Sequence, residues 1–252
     1  VSHGLRLLSL AALFACGAAS AAPDDLALVD AAIRGGRLVQ AQTMLDLLPD
    51  AKSDTFEVAV LRAQLMLAQG RYADAERAFA KLAATPSDDC RVIAGLGSAA
   101  AALRHIDAAL ARLQDATARC PADWRLWADL GHAYDSGARW NDSKAAYDHA
   151  SALGGPRASL LNDMAVSMLM QHRYPEARAL LQQALAADPD DRRIANNLDI
   201  AAASMGEPPV RGRGEDAARW AERLSNAGYA ASLAGRDDDA RAWLTQSIAA
   251  AP

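Results

Sequence analysis

The chain has 252 residues, of which 52% are hydrophobic, 5% aromatic and 23% charged, with a formal net charge of −5. A mildly acidic balance argues against non-specific nucleic-acid binding, which depends on neutralising phosphates with Lys and Arg. No stretch beyond residue 22 is long and apolar enough to span a bilayer, and so much small apolar residue with so few rings fits helices that approach closely.

Residues 1–21 read as a bacterial secretory leader. Arg6 precedes an apolar run from Leu7 to Ala15, and small residues follow. Two processing routes stay open. Ala19-Ser20-Ala21 has the small residues a signal peptidase accepts, which gives a free periplasmic chain. Leu13-Phe14-Ala15-Cys16 resembles a lipobox, in which Cys16 becomes a lipidated first residue and tethers the protein to a membrane surface. Phe14 departs from the usual small or branched residue of that motif. The expected location is therefore exported, either periplasmic or as an outer-membrane lipoprotein. The lipid anchor would be its one membrane contact.

From residue 22 the pattern is helical. Helices are expected near 24–34 and 38–48, with Pro49 as a stop. Gly70-Arg71-Tyr72 is a turn inside 56–89, and Gly95 and Gly97 fall in the first helix of 90–123. The segment Asp123 to Pro156 is the most explicit. Trp127, Leu130, Gly131 and Tyr134 share one helix face. Gly137 and Ala138 mark a turn, and Ser143, Tyr147 and Ala150 face inward from a second helix. Residues 158–191 repeat the plan, with His172-Arg173-Tyr174 as the turn. A further helix spans 192–205. Gly206 to Gly214, with two prolines and two arginines, reads as a mobile linker, and 215–252 restarts as a last helix pair in a changed phase.

The Trp-x2-Leu-Gly-x2-Tyr string, followed by a small residue, an aromatic and Ala, resembles the tetratricopeptide repeat, a helix–turn–helix unit of about 34 residues. Counting Trp124 as position 1, the close-approach sites at positions 8 and 20 should be small. Stepping by one period gives Val29 and Ala41, Ala63 and Ala75, Gly97 and Ala109, Gly131 and Ser143, Ala165 and Ala177. Position 24 is large: Leu45, Phe79, Leu113, Tyr147 and Leu181. Asp89, Asp123 and Asp191 stand where a side-chain acceptor caps the first helix of a repeat. The expected fold is all-α, a solenoid of antiparallel helix pairs. It would hold five repeats plus one helix over 22–205, and the resemblance implies a right-handed superhelix.

In that family the first helix of each pair lines a concave groove, which receives an extended peptide or a partner helix. The resemblance carries this role to His132, Asn162, Asp163, Asn196, Asn197, Asn226 and Tyr229, whose amides and ring could meet a bound backbone. The basic clamp of the chaperone-binding members is missing, since Ala128 and Asn162 hold one of its positions.

Cys90 and Cys120 fall at the same end of one antiparallel pair. A disulfide is within reach in an oxidising compartment, and two separate thiols are the alternative. His3, His105, His132, His149 and His172 show no metal-ligand spacing, and no strand–turn–helix elbow or Gly-rich phosphate loop is present. No catalytic residue, metal or cofactor is expected.

The whole layout is similar to TadD-type proteins of the tight-adherence (Flp pilus) assembly system. The likeness rests on the leader, the run Leu28-Val29-Asp30-Ala31-Ala32-Ile33-Arg34-Gly35-Gly36-Arg37, the helix Asn196-Asn197-Leu198-Asp199-Ile200 and Ala227-Gly228-Tyr229. It implies a non-catalytic scaffold whose partners are proteins of a pilus or secretion assembly. A scaffold for another envelope process, such as outer-membrane protein insertion or recruitment of peptidoglycan enzymes, is the alternative.

Overall fold

A computed structural model describes residues 25–49, 54–85 and 88–251. The leader with Cys16, and Pro252, lie outside the described residues. Among those described there are thirteen α-helices and no strand: α1 (Asp25–Arg34), α2 (Leu38–Asp46), α3 (Phe56–Ala68), α4 (Tyr72–Ala83), α5 (Cys90–Ala102), α6 (Ile106–Arg119), α7 (Trp124–Ser136), α8 (Trp140–Gly154), α9 (Ala158–Met170), α10 (Tyr174–Ala187), α11 (Arg192–Ser204), α12 (Ala217–Leu233) and α13 (Asp237–Ala250).

Five of the first helices begin on a side-chain cap, whereas α9 begins after Arg157 without one. Asp89, Asp123 and Asp191 accept from Arg91 N, Arg125 N and Arg193 N, and Thr55 and Asp216 do the same work for α3 and α12. The second helix begins differently. Two residues before each such start, at position 15 of the repeat, the backbone is left-handed: Gly36, Gly70, Arg104, Ala138, His172 and Gly235. That one conformation folds the chain back within a short turn. Glycine adopts it without steric penalty, and Arg104, Ala138 and His172 hold it because the packed hairpin demands it.

Packing explains the small positions. A Cβ on Gly131 would sit 2.8 Å from the Tyr147 ring, one on Gly97 2.6 Å from Leu113 Cγ, and one on Gly228 2.7 Å from Leu244 Cγ. In each case the position 8 backbone rests on the position 24 side chain of its own hairpin. The phase change of the last pair is thereby located, since Gly228, Ala240 and Leu244 take positions 8, 20 and 24.

The core runs along the stack as a string of local clusters. Leu113 and Ala116 of α6 meet Leu126, Leu130 and Ala133 of α7, and Leu181, Ala184 and Leu185 of α10 meet Ile194, Leu198 and Ala201 of α11. Each repeat buries its apolar face only against its neighbours, which is the economy of a solenoid.

The pairing rule breaks once. α11 has the cap, face and turn glycine of a first helix, yet no second helix follows it. Ile200 and Ala203 of α11 join Leu224, Ala227 and Trp243 in one cluster, so α12 packs directly on α11. The loop 206–214 reads from its composition as a mobile linker. It is tied at several points: Arg178 pairs with Glu207, Gly212 N donates to Glu215 Oε2 at 3.0 Å, and Arg223 donates to the Val210 carbonyl at 3.2 Å. The core therefore continues across this loop into the last helix pair.

Candidate functional site: the first-helix face from α7 to α12

Helices α7, α9, α11 and α12 carry the residues assigned to the groove. Asn197 Nδ2 donates to Asn162 Oδ1 at 2.8 Å, which links α11 to α9. Asn226 Nδ2 donates to Asn196 Oδ1 at 3.0 Å, which links α12 to α11. Asn162 is buried and also donates to Asp163 Oδ1 at 3.4 Å. The amides thus bond to one another across neighbouring helices instead of standing apart. An amide offers two donors and two acceptor lone pairs, so each link leaves capacity for a bound chain. Asn196, Asn197 and Asn226 are half-buried, and His132 and Tyr229 are exposed.

Beside the amides lies an acidic floor that sequence reasoning named only in part. Asp129 sits one period before Asp163 and two before Asn197, so the register alone could have found it. Burial, then the charges of Asp163 and Asp123, push the Asp129 carboxyl up to about 7. Burial raises Asp163 as well, against the opposing pull of Arg193, the Asn162 amide and His132. Arg193, Asn162 and His132 thus converge on Asp163.

A third carboxylate, Asp135, is buried. It accepts from Ser167 Oγ at 2.7 Å and from Tyr147 OH at 3.0 Å, and Gln171 Nε2 adds a bond to Ser167 Oγ at 3.1 Å. Two consecutive repeats are bound together by this network. Burial and the Asp135 charge hold the Tyr147 phenol well above its ordinary range, so it remains a donor. Asp135 lies on α7, Ser167 on α9 and Gln171 just past the end of α9, and the separation of Asp135 from the other two does not announce the cluster.

Away from this face, Cys90 and Cys120 are joined by a disulfide that ties the start of α5 to the end of α6, with Cα atoms 6.4 Å apart. A cavity of about 670 Å³ opens beside it, lined by Asp89, Arg91, Trp124 and Arg125 among others. Arg91 bridges repeats there by gripping Glu57 at 2.6 and 2.7 Å. Among the described residues no group of His, Cys, Asp and Glu could hold a metal ion, and no helix is long and apolar enough to cross a membrane.

Comparison with known proteins follows the helices. The sequence pattern of the coatomer epsilon subunit family matches residues 132–242. The chain is 35% identical over 94 residues to the cytochrome c-type biogenesis protein CycH of Rhizobium meliloti (strain 1021), and it spans about a quarter of that protein's length, 25% against 36% of its own. Among solved structures it resembles a thermophilic TPR protein of Thermus thermophilus, with a TM-score of 0.57 at 19% identity over 77% of this chain and 99% of that one. It also resembles the Cut9-Hcn1 hetero-tetramer of the APC/C, with a TM-score of 0.53 at 16% identity over 88% of this chain and 38% of that one. A tetratricopeptide repeat protein of Parabacteroides merdae ATCC 43184 gives 0.52 at 12% identity over 89% and 91%. With helix pairs, turn geometry and small-residue contacts in agreement, the chain has the tetratricopeptide-type α-solenoid fold.

Proposed function

We propose that the protein is a non-catalytic adaptor that binds protein partners along the first-helix face of α7, α9, α11 and α12. The observation that carries this reading is the row of cross-linked amides, Asn162 to Asn197 and Asn196 to Asn226. They are held at fixed spacing by packed helices and keep unused donors and acceptors for a peptide backbone. A ligand with basic side chains would restore the ionised form of Asp129 and Asp163 beside them, which burial disfavours.

The setting we propose is the bacterial envelope, with the protein either free in the periplasm or tethered through a lipidated Cys16. The process is assembly of an Flp-type (tight-adherence) pilus or its secretion apparatus. Support comes from the leader-like first 21 residues and from the strings shared with TadD-type proteins. A bonded Cys90–Cys120 pair suits an oxidising compartment. A second reading, a scaffold in another envelope process, is favoured by the local identity with a cytochrome c-type biogenesis protein.

Crosslinking in the native cell, followed by mass spectrometry of what co-purifies, tests both levels. Pilus or secretin components support the first setting, and cytochrome maturation components support the second. Replacing Asn196 and Asn197 by Ala should remove the specific partners while leaving the helical content intact. An unchanged partner list rejects the amide row as the binding face.

A further inference from the structure

The Cys90–Cys120 bond borders the cavity of about 670 Å³ that lies between the α5–α6 hairpin and the start of α7. Both half-cystines line it, together with Pro121 and Trp124. A space of that size takes a few residues of another chain, within the usual range of about 300–1,000 Å³ for ligand pockets. Trp124 is a fixed wall. It is half-buried, the backbone of Gly154 rests on it so closely that a Cβ there would sit 2.7 Å from Trp124 Cγ, and the Arg157 guanidinium lies 5.4 Å from its ring centroid.

The two sulfurs are not equivalent. Cys90 is the first residue of α5 and is 7% exposed, at the helix end whose free N–H groups stabilise a thiolate. The Asp89 carboxylate beside it is already held by Arg91 at 2.6 and 3.0 Å. Cys120 closes α6 and is half-buried, at the helix end whose free carbonyls disfavour a thiolate. In thiol–disulfide exchange the accessible sulfur is attacked and the more stable thiolate departs. Access and leaving-group stability agree here: attack falls on Cys120, and Cys90 leaves.

We propose that this bond is a thiol–disulfide exchange site, at which a thiolate on a short segment of another protein enters the cavity and attacks Cys120 Sγ. The step forms a bond between the partner's sulfur and Cys120 and breaks the Cys90–Cys120 bond. The electron pair leaves on Cys90 Sγ, which takes up a proton. With a dithiol partner, the second thiolate attacks the partner's own sulfur in the mixed disulfide, and Cys120 leaves and is protonated in turn. The partner has then lost two electrons and holds a disulfide, while this chain holds two thiols. The reverse sequence closes the bond. The hairpin stays packed throughout, because Gly97 rests on Leu113 and on the Ala109 carbonyl without help from the sulfurs.

Reduced glutathione, a monothiol, traps the first step on the full native chain. After brief exposure, free thiols are capped at acid pH with N-ethylmaleimide and the chain is digested with trypsin. Cleavage after Arg91 and Arg119 leaves Cys90 and Cys120 on separate peptides, 82–91 and 120–125. The glutathione adduct should stand on the Cys120 peptide in at least about tenfold excess, with helical circular dichroism unchanged. Equal adducts, or a preference for Cys90, overturn the proposal. So does a native chain that takes up no glutathione until denaturant is added. Single variants give a second measure, read as the pH dependence of alkylation by iodoacetamide. The thiol left in Cys120→Ala should titrate below the ordinary value of about 8.5, and the one left in Cys90→Ala at or above it. The opposite order also overturns the assignment.

Discussion

Ser143 stands where the other repeats carry Ala41, Ala75, Ala109 and Ala177, fully buried between the helices of its hairpin. Its hydroxyl has no hydrogen-bond partner among the described residues. A buried unpaired hydroxyl costs roughly 1–3 kcal/mol. Ser143→Ala should therefore raise stability by about 1 kcal/mol, measured as a shift in the urea midpoint with unchanged slope. Asp129 makes an opposite kind of demand. Its carboxyl is held up at about 7, chiefly by burial and then by Asp163 and Asp123, against the ordinary value near 3.9 of an unfolded chain. Between those values the folded state keeps a proton that the unfolded state has lost. Stability contributed by this group thus falls as pH rises from about 4 to about 7, and is level outside that window. Asp129→Asn should stabilise the protein at pH 8 by on the order of 1–2 kcal/mol, a figure discounted for its partial exposure. The gain should vanish near pH 4. Equal gains at both pH values would contradict a raised carboxyl.

At the scale of elements, the junction of α11 and α12 shows what a missing second helix requires. Asp199 occupies position 8 of α11, the place of closest approach in complete hairpins. With no second helix to admit, that site receives Arg223 of α12 at 2.6 and 3.0 Å, and Glu215 completes the pair at 3.0 Å. The arrangement is only about a fifth exposed on the arginine side. Arg223→Ala leaves Asp199 without its cation and Glu215 with Arg219 alone, and should cost about 2 kcal/mol. Hydrogen exchange should speed up in α11, α12 and the 206–214 loop and stay unchanged in α3 to α6. Much of the fold was legible before the structure, because position 8 against position 24 is a steric condition written into Gly97, Gly131, Leu113 and Tyr147. The candidate site was legible only as a list of amides. Which Asn bonds to which, and how Asp135 meets Ser167 and Tyr147, depends on how far one repeat is rotated on the next. That rotation is a sum of small packing displacements with no single residue to announce it. The ties across 206–214 were hidden for a related reason: Gly and Pro report backbone freedom, and Arg223, which removes it, lies outside the segment.

For the whole molecule, stability is a sum over neighbouring hairpins, so opening can start at either end and travel inward. The Cys90–Cys120 bond closes one hairpin in the interior of the stack, across a separation of 30 residues. In the chain-entropy model such a loop contributes about 3–4 kcal/mol. Adding a reductant, or making Cys90→Ser with Cys120→Ser, should lower stability by up to that amount, read from denaturant midpoints under oxidising and reducing conditions. The same bond sets a limit on extension. If the protein is anchored at one end and hauled by a partner at the other, the hairpins on either side pay out their full lengths. The sealed loop withholds roughly 100 Å of contour, at about 3.5 Å per residue. A single molecule drawn out between two beads should therefore stop short by that distance until its sulfurs part, so a chain built this way keeps a fixed maximum reach under load.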